Sequence, residues 1–100
     1  MNPAPRASGD PPMITEFDIY FKNVDMEKIN SVIKEITETL RRTGVYFSAT
    51  RENIPKKLNL LHLYRVKISD YDGSSKKVLN ILNKYHHLIV TVDVYIKKSI

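Results

Sequence analysis

Hydrophobic and polar residues alternate with a period of two in "ITEFDIYFKN" (14–23), with Phe17, Ile19 and Phe21 on one side and Glu16, Asp18, Tyr20 and Lys22 on the other. That period predicts a strand with one buried face. The period lengthens in "DMEKINSVIKEITETLRRTG" (25–44), where Ile29, Val32, Ile33, Ile36 and Leu40 form one helical stripe. Asp25 suits the N-cap, Arg41 and Arg42 complement the dipole in the last turn, and Gly44 suits the position after the helix. Alternation returns in "VYFSAT" (45–50), with Val45, Phe47 and Ala49 inward, and "RENIPKK" (51–57) breaks it with a proline and predicts a turn. A third strand follows in "LNLLHLYRVKI" (58–68), where Tyr64, Val66 and Ile68 share a face with Leu58, Leu60 and His62. Leu61 and Leu63 share the other face with Arg65 and Lys67, so the start of this strand is apolar on both sides. Such a strand is either central in its sheet or bulged at that point.

A turn at "SDYDGSS" (69–75) offers Asp72, Ser74 or Ser75 as a cap. The helix it introduces, "KKVLNILNKYHH", carries a stripe of Val78, Ile81, Leu82 and Tyr85. The last strand, "LIVTVDVYIKK", is expected to turn Val90, Val92, Val94 and Ile96 to the core and Thr91, Asp93, Tyr95 and Lys97 away. The predicted order is β-α-β-β-α-β, the ferredoxin-like α+β layout. Two helices then cover one face of a four-stranded antiparallel sheet, the first and third strands are central, and the other face is open. Residues 1–13 hold four of the five prolines and are expected to form a disordered tail, leaving 14–100 as the single domain.

Composition narrows the picture only a little. The chain has no cysteine, which removes disulfides and thiolate metal sites. No apolar run approaches the roughly 20 residues that span a bilayer, and the N-terminus lacks an apolar leader core, so a cytoplasmic protein without membrane contact is expected. The net charge of +5 is uneven: from Arg51 onward ten Lys/Arg face four acids, whereas residues 1–50 carry six against seven. This excess favours a polyanionic partner.

Catalytic constellations are absent from the pattern. His86 and His87 are adjacent and point apart, so they make a poor chelate, and His62 reads as a packed strand residue. There is no phosphate loop and no HExxH motif, and no enzyme activity, cofactor or metal is expected. Two interaction readings remain. In the first, Arg41, Arg42, Arg51, Lys56 and Lys57 grip RNA phosphates, with Tyr46, Arg65 and Lys67 as supporting contacts on the sheet. In the second, Tyr20, Leu61, Leu63 and Tyr95 form a sticky patch on the open face, for a protein partner or a homodimer.

Several short strings resemble the small-subunit ribosomal protein S-ten family over roughly residues 17–96. They are Arg42-Thr43-Gly44 at the first helix end, His62, Leu63, Val66 and Ile68 in the third strand, and Ser74-Ser75-Lys76-Lys77-Val78 opening the second helix. Val92, Asp93, Val94 and Ile96 match its closing strand. The resemblance implies the same β-α-β-β-α-β fold, no catalytic residues, and ribosomal RNA or a ribosome-associated protein as partner. The family's Gly-Pro-x-x-x-Pro-Thr run after the second strand is replaced here by Ser48-Ala49-Thr50-Arg51-Glu52-Asn53, and its long hairpin loop by a short turn around Pro55.

Overall fold

The computed structural model describes residues 13–54, 61–70 and 73–98. Strand β1 (Met13–Phe21) leads into helix α1 (Met26–Thr43), strand β2 (Phe47–Glu52) and strand β3 (His62–Asp70). Helix α2 (Ser74–Lys84), a short 3-10 turn (His86–Leu88) and strand β4 (Ile89–Lys98) complete the domain. The sheet order is β2-β3-β1-β4 with every pair antiparallel. This is the ferredoxin-like α+β fold, with β1 and β3 central as the pattern predicts.

The first helix ends as its sequence dictates. Gly44 adopts φ 77°, the left-handed conformation that suits a residue without Cβ, and its N–H donates to the Arg41 carbonyl at 3.2 Å. At the other end Asp25 occupies the cap position through its backbone alone. Its carbonyl accepts from the N–H groups of Lys28 and Ile29, and its side chain makes no capping bond. The second helix begins earlier than expected. Gly73, at φ 82°, takes the cap position in place of Asp72, Ser74 or Ser75, and Ser74 and Ser75 form the first turn of α2. The stripe residues Val78, Ile81 and Leu82 are buried and Tyr85 packs half-buried beside them.

The core lies between the helices and one sheet face. Phe17, Ile19 and Phe21 of β1 are fully buried, as are Ile29, Val32, Ile36 and Leu40 of α1 and Val66 and Ile68 of β3. Burial of each such side chain contributes about 1.5–3 kcal/mol. Phe21 and Tyr64 meet edge to face with ring centroids 5.9 Å apart, and the Tyr64 hydroxyl reaches Asn30 Oδ1. The helices are also joined at their surface. Tyr85 Oη donates to Glu35 Oε1 at 2.6 Å and Lys84 Nζ to Glu35 Oε2 at 3.1 Å. These two donors hold the Glu35 carboxyl below its usual range, the tyrosine hydroxyl contributing most.

Other boundaries also differ from the sequence reading: β2 begins at Phe47 rather than Val45, and α2 ends at Lys84, before His86 and His87. Met13, assigned to the tail, begins β1. Arg51 and Glu52, assigned to the turn, belong to β2 and pair with Tyr64 and Leu63, because the antiparallel ladder continues unbroken past Thr50. The described part of the third strand, from His62, is central in the sheet: its pairing with β1 is regular throughout, and the irregularity lies between β1 and β4 at Tyr20/Phe21. Residues 1–12 of the expected tail and Leu58 and Leu60 lie outside the described residues.

Candidate interaction surface

The face of the sheet away from the helices is a charged lattice. Register sets its rows. Thr50, Arg65, Asp18 and Asp93 run across the four strands in one row, and Ser48, Lys67, Glu16 and Tyr95 in the next. Arg65 is the hub. Its Nε sits 2.9 Å from Asp18 Oδ1 and 3.1 Å from Glu16 Oε2, its Nη2 donates to Asp18 Oδ2 at 3.2 Å, and its Nη1 reaches Glu52 Oε1 at 3.5 Å. Glu16 and Asp18 are only 7% and 5% exposed although no helix covers them. The Arg65 hydrogen bonds hold the Asp18 carboxyl below its usual range against the opposing effect of burial. The same bonds raise the Arg65 guanidinium further above its already high value. Lys97 Nζ approaches Glu16 Oε1 at 3.9 Å, the outer limit of an ion pair.

This lattice changes how the sequence-derived residues read. Arg65 spends its guanidinium on three carboxylates of its own chain. Lys67 is exposed, one row away across from Glu16. Tyr46 is 84% exposed and lies just before β2. Among the described residues the remaining cations do not form one cluster. Arg41 and Arg42 end α1 beside the start of β2, whose first residue Phe47 pairs with Ile68, itself opposite Thr15. Arg51 lies near the far end of β2, opposite Tyr64, itself opposite Ile19. Four residues of strand separate Phe47 from Arg51, about 13 Å. The Arg51 Nη2 lies 3.3 Å from His62 Nδ1, which accounts for that histidine as a strand-end partner. Lys56 and Lys57 lie outside the described residues.

The hydrophobic patch expected on the open face is also redistributed. Leu63 is 5% exposed, Leu61 and Tyr20 are half-buried, and only Tyr95 of the four is exposed. The accessible apolar surface is instead on the helix side of β4. Val90, Val94 and Ile96, all expected in the core, are 51%, 46% and 65% exposed. Val92 alone of that set packs against the core, together with Ile89. α2 reaches only the first part of β4, where its Leu79 and Leu82 line a groove with Ile89, Val90 and Val92, so that Val94 and Ile96 farther along the strand stay exposed. A register shift around Val90 adds to the effect by taking that residue out of the β1 ladder. Leu79, 45% exposed on α2, extends the apolar surface toward Val90 across a shallow groove lined by Leu82, Ile89 and Val92. Among the described residues β4 therefore offers an unpaired backbone edge, flanked on one side by exposed aliphatic residues and on the other by Asp93, Tyr95 and Lys97. Asp93 makes no ion pair among the described residues and lies opposite Asp18 across the β1–β4 ladder. The nearby charge of Asp93 is the largest influence raising the Tyr95 hydroxyl pKa.

No three His, Asp or Glu side chains gather as a metal-binding group among the described residues. His86 and His87 sit in the 3-10 turn with their rings nearly perpendicular, and His86 Nδ1 lies 2.9 Å from the Asn83 carbonyl. No helix among the described residues is long and apolar enough to cross a membrane.

The chain matches no protein-family model and no curated protein. Among solved structures it is similar to protein At3g17210 from Arabidopsis thaliana, at 14% identity and TM-score 0.65, over 89% of this chain and 96% of that one. Protein HP0495 from H. pylori gives 16% identity and TM-score 0.56, over 93% and 98%. SnoaB, a cofactor-independent oxygenase from Streptomyces nogalater, gives 12% and 0.58, over 88% and 93%. De novo designed proteins share the fold as well, among them Ferredog-Diesel at 13% identity and TM-score 0.58, over 85% of this chain and 84% of that one. At these identities the likeness is one of fold, and the same fold carries an oxygenase and designed proteins alike.

Proposed function

We propose that this chain is a non-enzymatic interaction module that docks another polypeptide along its β4 edge. The observation that carries this reading is the exposed aliphatic run of Val90, Val94 and Ile96 on a terminal strand that is unpaired at its outer edge among the described residues. A long apolar strand edge is a template for strand addition, in which main-chain hydrogen bonds supply affinity and alternate side chains supply specificity. The reading as an RNA-binding, ribosomal-protein-like domain has weaker support. Among the described residues its outlying arginines lie at opposite ends of β2, and its central arginine is already neutralised by Asp18, Glu16 and Glu52.

Amide chemical shifts of the labelled protein separate the two readings. Ten-residue peptides of alternating apolar and polar residues are expected to shift Val90–Ile96, with little change on raising the salt. A structured RNA is expected to leave these amides unmoved. Shifts confined to Arg41, Arg42, Arg51 and the Lys56–Lys57 turn on adding RNA, fading with salt and with β4 silent to peptide, overturn the proposal in favour of the phosphate grip.

A further inference from the structure

The polypeptide that fits the β4 edge best is β4 itself, an inference that rests on the docking role proposed above. We infer that two copies of this chain pair antiparallel through β4, with a two-fold axis at Tyr95, to make one continuous eight-stranded sheet. An axis perpendicular to the sheet keeps the helices of both copies on the same side. It also requires one residue to lie opposite itself, because side-chain direction alternates along a strand.

The choice of centre follows from the charges. With Tyr95 on the axis, Asp93 lies opposite Lys97 of the second copy, and symmetry repeats the pair. Val94 then lies opposite Ile96, also twice, so the aliphatic residues that are 46% and 65% exposed cover one another on the helix side. Centring on Asp93 opposes two like charges. Centring on Val94 sets Asp93 against Tyr95 and Lys97 against Thr91, and centring on Ile96 sets Lys97 against Tyr95. Of these four registers the one centred on Tyr95 satisfies both faces at once. It also answers a conflict within the single chain, where Asp93 faces Asp18 across the ladder while Arg65 is committed to Asp18, Glu16 and Glu52. A cation from the second copy completes that row. Lys97 is free to serve, since it is 64% exposed and holds Glu16 only at 3.9 Å. The other edge of the sheet offers no such match: β2 is shorter, and its outward residues Ser48, Thr50 and Glu52 include no cation.

The absence of native cysteine makes the test clean. Residues directly opposed in an antiparallel pair have Cα atoms about 4.5–5.5 Å apart, within disulfide range. Under mild oxidation the full chain carrying Tyr95→Cys is expected to form a covalent dimer readily, whereas Thr50→Cys on β2 is not. Sedimentation over a wide concentration range is expected to show a monomer–dimer equilibrium weakened roughly tenfold or more by Asp93→Lys. Lys97→Asp is expected to do the same, and the double exchange Asp93→Lys/Lys97→Asp to recover most of the affinity. Recovery by the exchange distinguishes pairing from misfolding. A chain that stays monomeric up to millimolar concentration overturns the inference, as does a dimer that cross-links through Thr50→Cys but not Tyr95→Cys. In the monomeric case, peptide-induced shifts along β4 leave the docking role standing with a different occupant, and their absence removes both.

Discussion

The two edges of this sheet are built from similar alternating sequence and end up in opposite situations. On β2 the inward residues Phe47 and Ala49 pack half-buried against the core, and Thr50 Oγ1 donates to Glu52 Oε2 on the outer face. Glu52 is in turn joined to the centre of the sheet through Arg65. On β4 the residues of the same face that lie beyond Val92, namely Val94 and Ile96, face water, and among the described residues the one side-chain ion pair of the strand is the long Lys97–Glu16 contact. Alternation fixes which residues share a face, but coverage of that face depends on where the helices lie. An edge that is finished within the chain contributes to stability, and an edge left unfinished is available for association.

The largest effect is expected where the finished side is anchored. Arg65→Ala leaves Glu16 and Asp18 buried without their cation and is expected to cost about 3 kcal/mol of stability, measured by urea unfolding. A cost below about 1 kcal/mol would show that the lattice is dispensable and that β2 is held by packing alone. Phe47→Ala probes that packing directly. Its half-buried ring predicts a loss of about 2 kcal/mol, below the usual cost of truncating a fully buried aromatic because part of the ring already meets solvent.

Acid titration sharpens the same contrast. The Asp18 carboxyl is held low by Arg65, and that of Glu35 by Tyr85 and Lys84, so both favour the folded state when ionised. Their contribution is complete above the ordinary carboxylate range of about 4 and is lost as pH falls through and below it. The unfolding midpoint is therefore expected to stay flat from neutral pH down to that range and then to decline. In Arg65→Ala the decline is expected to be shallower. The smallest effect belongs to the unfinished edge: Ile96→Ala is expected to change the stability of the monomer by less than about 0.5 kcal/mol while weakening any association through β4.

Much of the architecture was legible before any coordinates. The inward set Phe17, Ile19 and Phe21, the α1 stripe and the left-handed Gly44 all follow from local periodicity and local backbone chemistry, and the structure shows each of them. The element order is enough to specify the ferredoxin-like layout with β1 and β3 central. The interaction surface was far less legible. Leu63 and Val94 look alike in sequence, as strand aliphatics flanked by polar neighbours. Yet Leu63 is nearly buried on the face without helices, and Val94 is exposed on the face that has them.

What the sequence determined by itself, then, is periodicity: the type of each element, its inward face and its order along the chain. These depend on interactions between residues a few positions apart. The tertiary structure alone decided which cations are already neutralised and which part of β4 lies beyond the reach of α2. Those outcomes depend on register between distant segments and on where a helix settles over the sheet. Arg65 illustrates the difference. Its place in β3 was readable from alternation, but its three carboxylate partners come from positions 16, 18 and 52 and meet only when the strands align.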